Sequence, residues 1–357
     1  MKLLDRYILK QFLGAFVFTV LIIVSVIVVI DITEKTEKFG KADLSFEQIA
    51  GFYLDFVPWI ANFITPLTVF IATVFITSKL AGRTEIIAIL SSGVSFRRML
   101  VPYLIGAAMI AVLSFWLTGW VIPNSNKDRI AFEYEYLKST RYFDQTNVHM
   151  QVAPGKYLYL RNYNNQADVG YNFTLEAIDS MRLTEKLSAS RISWDDEKNK
   201  WTLTNWSLHT MDGKDEEITS GRTMDTVLAI HPSEFENMER TYEGMTIPEL
   251  DQEIAKLRMR GASNVEFYLV EKYTRYTSPF AVLILTFMGV IVSARKSRGG
   301  TGFQIALGFL LCFVYIFFFM MSKTIAEAGG LPPMISVWIP NIVFAAISLL
   351  MYKYVPR

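Results

Sequence analysis

One cysteine, Cys312, is all that this chain contains, so neither an intrachain disulfide nor a cysteine metal cluster can form. Cys312 lies in an apolar run and reads as a small buried or lipid-facing hydrophobe. The only histidines, His149, His209 and His231, stand in no H-E-x-x-H arrangement. No G-x-x-x-x-G-K-S/T occurs, so the chain does not hold ATP in a P-loop. Charge is also thin: 19% of residues are Asp, Glu, Lys or Arg, against about 25% in soluble domains. The net charge of +1 gives no global attraction to nucleic acid. The centres of the apolar runs carry no carboxylate pairs, which argues against an ion-coupled pump or an intramembrane hydrolase. These absences leave no catalytic residue, no metal site and no cofactor to assign.

What is present is hydrophobic length. Six uncharged runs stand between flanking charges: Gln11–Ile30, Phe56–Ser78, Met99–Asn126, Tyr276–Ala294, Gly299–Ser322 and Ala328–Tyr352. Each supplies the roughly 20 apolar residues that a helix needs to cross a bilayer. Backbone groups in lipid must be satisfied within the segment, so helices are the expected form. The first run ends in Asp31, Glu34 and Lys35 and is longer than a signal-peptide core, so it reads as a retained span. Asn62 and Ser114, polar residues inside spans, read as interhelical hydrogen-bonders.

Orientation follows from lysine and arginine in the short loops. One side carries twelve: Lys2, Arg6, Lys10, Lys79, Arg83, Arg97, Arg98, Arg295, Lys296, Arg298, Lys353 and Arg357. The other carries four, Lys35, Lys38, Lys41 and Lys323. Both termini are therefore expected in the cytoplasm, with the large insert on the far side. The expected division is residues 1–122 for the first three spans, 123–272 for the insert and 273–357 for the last three.

The insert reads as strand. Residues 147–152, 156–163, 171–178, 186–194 and 200–211 alternate apolar and polar side chains between turn clusters. That spacing suggests an antiparallel sandwich, jelly roll or related barrel. A helix over about 247–260 leaves it, with Thr246 and Glu249 at capping-box spacing and Gly261 as its stop.

Two short regions invite a functional reading. Between the second and third spans, about 83–92, a short helix stopped by Gly93 places Ile86, Ile89 and Leu90 on one stripe, with Arg83 and Glu85 near its start. Such a helix docks in a partner's groove or lies on the lipid surface. After the first span, Lys35, Lys38 and Lys41 either pair with phosphate headgroups or anchor the helix at the interface.

Several segments, in order, resemble the permease subunits of the lipopolysaccharide-export ABC transporter, the LptF/LptG family. They are LDRYILKQF (4–12), GRTEIIAILSSGVS (82–95), the hairpin Ser190–Leu203, MTIPELDQEIAKLRMRG (245–261), VEKYTRYTSPF (270–280) and GGLPPMISVWIPN (329–341). The opening LDRYI is similar to the G-type subunit. The resemblance implies a polytopic inner-membrane protein of six helices with an inserted periplasmic β-jellyroll. It implies a second permease of the same family, a cytoplasmic ATPase dimer and a periplasmic β-jellyroll bridge protein as partners, with lipopolysaccharide as cargo. Glu85, with Arg83, Ile86, Ile89 and Leu90, would engage the ATPase. Lys35, Lys38 and Lys41 would meet the lipid phosphates, and the first and fifth spans would wall the lipid path. The competing reading is a membrane scaffold or sensor that transports nothing, for which six spans are more than an anchor requires.

Overall fold

A computed structural model of the chain describes residues 3–137, 146–164, 167–179, 182–196, 198–212, 215–228, 230–232, 241–259, 264–294 and 300–353. It forms two compact units. One is helical and comprises Met1–Leu137, Tyr242–Leu250 and Glu266–Arg357; the other comprises Lys138–Thr241 and Asp251–Val265.

In the helical unit the chain runs through α1 (Leu3–Lys41), α2 (Phe46–Phe63), α3 (Thr65–Gly82), the short α4 (Glu85–Ser91) and α5 (Phe96–Trp116). A π-helical turn, Leu117–Val121, leads into α6 (Ile122–Phe132), and a second, Glu133–Leu137, follows. Later come α8 (Val265–Ser293), α9 (Gly300–Glu327) and α10 (Pro333–Tyr352). Six stretches are long and apolar enough to cross a membrane: α1, α3, α5 with its continuation to Leu137, α8, most of α9, and α10. Each overlaps one of the six uncharged runs, and the second run, Phe56–Ser78, is divided between α2 and α3. Of the flanking basic residues, Lys2, Arg295, Lys296, Arg298 and Arg357 lie outside the described residues, as does Gly261.

The helices of the first half overrun the apolar runs. α1 has 39 residues, about 58 Å at 1.5 Å per residue, roughly twice a hydrocarbon core. α2 begins ten residues before the expected second run, under a capping box: Ser45 Oγ accepts from the Gln48 amide, and Gln48 Oε1 accepts from the Ser45 amide at 2.9 Å. It breaks at Ile64, just before Pro66, whose missing N–H suits the first turn of the new helix α3. The helical body also runs past Pro123, the expected start of the insert, because Pro123 likewise sits in a first turn, that of α6.

Three apolar clusters hold this unit. The first joins the start of α1 (Ile8, Phe12) to α3, α4, α5 and α8. The second packs α2 (Phe52, Phe56, Ile60) on Val24 and Phe39 of α1 and on Leu137. The third gathers α3, α8, α9 and α10 around Leu285, Met288, Cys312 and Phe344; Cys312 is buried, as expected of a small hydrophobe. Asn62 and Ser114 bond to each other as the sequence suggests, and Asn62 Nδ2 donates to Thr118 Oγ1 at 2.8 Å. Tyr315 donates to Asn341, which donates to the Thr277 carbonyl, tying α9, α10 and α8.

The segment 241–249 is fixed by two buried arginines. Arg129, 1% exposed, reaches Glu133 at 2.7 Å and Glu243 at 3.2 Å and lies over the Trp59 ring. Arg275, 2% exposed, donates to the carbonyls of Met245 and Tyr242 and pairs with Glu271. Both charges are thus matched by carboxylates and carbonyls, the condition for burying them. α7 (Ile247–Met259) starts here, and Glu249 accepts from the Thr246 amide at 2.7 Å.

The second unit is built on one antiparallel sheet. Its strands are β1 (Thr146–Ala153), β2 (Lys156–Asn164), β3 (Val169–Asp179), β4 (Arg182–Asp195), β5 (Lys200–Asp212) and β6 (Asp215–Thr226), paired in chain order. Alternate residues, among them Leu158, Leu160, Phe173, Ile192, Trp201 and Leu203, form its core, and the Trp201 indole donates to the Ile230 carbonyl. Five strands fall on the five alternating segments. β6 carries no such pattern: nearly all its residues are exposed, and it is recruited by backbone pairing to β5.

Candidate functional site

The short helix α4 exists because its borders are enforced by backbone. Thr84 takes φ +60° between α3 and α4, and Gly93 takes φ +86° just beyond, a conformation glycine adopts without Cβ strain. About two turns remain between them. The apolar stripe reads inward: Ile86 is 2% exposed within the first cluster, Leu90 packs against that cluster and Ile89 is half-buried. Their positions hold α4 on the bundle, so the stripe does not offer itself to a groove. Ile87 is the exposed apolar residue, at 54%, beside exposed Ala88 and Ser91. Periodicity does not point to Ile87, because it marks the face that packs and leaves the opposite face unmarked.

Arg83 and Glu85 stay at the surface, with Arg83 Nη1 3.9 Å from Glu85 Oε1. Glu85 Oε2 has a closer partner, the Tyr7 hydroxyl of α1, which donates at 3.0 Å. Nearby, Asp5 at the start of α1 receives Arg98 at 2.6 Å, and Arg97 donates to the Tyr352 hydroxyl at the end of α10. The start of α1, α4, the start of α5 and the end of α10 therefore share one end of the helical unit. Arg6, Lys10, Lys79, Arg83 and Arg97 are all exposed side chains of this region.

The three lysines at the other end of α1 are not equivalent. Lys35 bonds Asp31 at 2.9 Å, and its ammonium lies 4.7 Å from the Phe52 ring centroid and 5.4 Å from that of Phe56. The Tyr53 hydroxyl donates to the second Asp31 oxygen at 2.8 Å. Lys35 is thus turned into α2, its charge already matched. Lys41 is exposed and pairs with exposed Glu37 at 2.7 Å, a contact that solvent weakens. Lys38 is exposed and makes no ion pair among the described residues. No group of three His, Cys, Asp or Glu side chains able to hold a metal occurs among the described residues.

Six apolar helices with an inserted antiparallel sheet define a polytopic membrane protein bearing a β domain. Residues 6–354 match the family model for the lipopolysaccharide export system permease LptF/LptG, and the chain belongs to that family. It is also similar to the lipopolysaccharide export system permease protein LptG of Haemophilus influenzae, with 21% identity over 347 residues, covering 96% of this chain and 95% of the relative.

Proposed function

We propose that this chain is one of two related permeases of an ATP-driven exporter that lifts lipopolysaccharide out of the inner membrane and passes it to a periplasmic β-jellyroll bridge. The observation that carries this reading is the family match along 6–354 on a chain of six spans and one inserted sheet. Both termini and α4 face the cytoplasm in this reading, and the β unit faces the periplasm. The twelve-to-four distribution of basic residues supports that orientation.

Removing a multi-acyl lipid from a bilayer costs about 0.8 kcal/mol for each CH₂ brought into water. An apolar path and an energy source are both required. The path is a cavity between two permeases, with α1 and α9 among its walls; Val17, Phe18, Leu21, Phe313 and Phe317 on these helices are exposed apolar side chains. The energy comes from a cytoplasmic ATPase dimer, because this chain carries no P-loop. Glu85 and Arg83 engage that ATPase, Ile87 supplies the apolar contact, and Ile86, Ile89 and Leu90 hold α4 in place. Lys38 and Lys41 meet the lipid phosphates.

Replacing Glu85 with alanine tests the reading. Copurification of the ATPase, or its lipid-stimulated hydrolysis, should fall. Unchanged association together with unchanged stimulated turnover would remove Glu85 from this role.

A further inference from the structure

We propose that Tyr7 is a positioning residue that couples the foot of α1 to Glu85, so that a partner which grips Glu85 also moves α1. The proposal deepens the reading of Glu85 as the ATPase-facing carboxylate and rests on it.

Three observations carry it. First, α1 is held unevenly. Asp5, Ile8 and Phe12 at its start are 4%, 0% and 0% exposed, whereas Phe18, Leu21 and Val26 further along are more than half exposed. Second, the foot is fastened to the segment that carries α4. Asp5 takes Arg98 at 2.6 Å, Tyr7 donates to Glu85 at 3.0 Å, and Phe12 lies against Gly106 of α5 so closely that a Cβ there would come within 2.6 Å of its ring. Further along, Val24 and Phe39 of α1 pack on α2 and Asp31 accepts from Tyr53 there, so a rotation of the foot is carried along one continuous helix to α2.

Third, the two oxygens of Glu85 are differently engaged. Oε2 accepts from Tyr7, while the nearest cation to Oε1 is Arg83 Nη1 at 3.9 Å, beyond hydrogen-bond distance. Tyr7 is 41% exposed and the Glu85 side chain 31%, so the carboxylate is reachable from outside. A carboxylate accepts on both oxygens at once. A basic group of the partner can take Oε1 while Tyr7 keeps Oε2, and Glu85 then bridges the partner and α1. Displacement of α4 on nucleotide binding is passed through this bridge to the foot.

The test is made on the full transporter in nanodiscs, with Cys312→Ser as background and spin labels at Leu21→Cys on α1 and Val112→Cys on α5. Both label sites are exposed, at 61% and 70%. Tyr7→Phe keeps the ring and removes only the hydroxyl. Without nucleotide, the distance distribution should stay as in the native chain, because Ile8, Phe12 and the Asp5–Arg98 pair remain. The ATPase should still copurify. The change in distance on nucleotide binding should shrink, with the population of the shifted state falling roughly tenfold or more for one lost hydrogen bond to a charged acceptor. A full nucleotide-driven shift in Tyr7→Phe overturns the proposal, and so does the lack of any shift in the native chain. Unchanged association together with unchanged stimulated turnover in Glu85→Ala would instead overturn the docking role of Glu85, an outcome distinct from either.

Discussion

Ser114 Oγ donates to Asn62 Oδ1 over 2.6 Å, joining α5 to α2 within the apolar part of the protein. Asn62 returns a bond to Thr118, and Thr118 bonds the Ser114 carbonyl at 2.7 Å, so the three side chains close a small polar network. Interhelical hydrogen bonds in membranes contribute about 0.6 kcal/mol each on average, because the separated helices find other partners. Asn62→Ala should therefore cost about 1 kcal/mol, read from unfolding in mixed micelles. A loss several times larger would mean that Asn62 does more than join two helices.

Arg129 is a different case. Its guanidinium is matched by Glu133 and Glu243, both mostly buried, with side-chain exposures of 15% and 14%. Arg129→Met leaves two carboxylates without their cation and should destabilise the helical unit by about 3–5 kcal/mol. Thermal unfolding of the detergent-solubilised protein measures it. Adding Glu243→Gln to Arg129→Met should recover part of the loss, because one uncompensated charge disappears.

Glu249 lends the connecting segment a pH dependence. Its carboxyl is held down to about 2, from an ordinary value of 4.5, first by the Thr246 amide, then by Lys127 and the Thr246 hydroxyl. A depressed folded value means that the contribution is complete above about pH 4.5 and is lost as pH falls toward 2. Between pH 6 and pH 3 the native protein should lose more of its resistance to proteolysis around residues 241–250 than Glu249→Gln does. Equal losses in the two proteins would show that this cap is not the source. Lys127 and Glu249 are both about half exposed, so added salt should weaken that share of the effect.

The lysines of α1 should separate in experiment. Lys38→Ala should lower photocrosslinking to lipopolysaccharide, more strongly at low salt than at high salt. Lys35→Ala should mainly loosen α1 from α2, since Lys35 is occupied by Asp31, Phe52 and Phe56. A larger crosslinking loss for Lys35 than for Lys38 would reverse this assignment.

Much of this architecture is legible in the chain because apolar length and alternation are local properties. The six runs predict the spans, and five alternating segments predict five strands. β6 escapes because an exposed edge strand is defined by the backbone of its neighbour and leaves no mark on its own side chains. The start of α2 shows its Ser45 cap but no apolar run long enough to declare a span. The roles within the candidate site were less legible. Ile86, Ile89 and Leu90 look alike to Ile87 in composition, and Lys35 looks alike to Lys38; burial and pairing distinguish them.

The sequence by itself determined that the chain carries six stretches able to cross a bilayer and where the β-rich insert begins to alternate, since each depends on the free energy of placing side chains in water or lipid. Only the tertiary structure decided that Lys35 is spoken for and Lys38 is open, that Glu85 is tied to Tyr7, and that Arg129 finds Glu243. Tyr7 and Glu85 lie 78 positions apart and Arg129 and Glu243 lie 114 apart, yet each pair meets within about 3 Å, the range at which hydrogen bonds and ion pairs act, and Lys35 needs the Phe52 and Phe56 rings of α2 beside it.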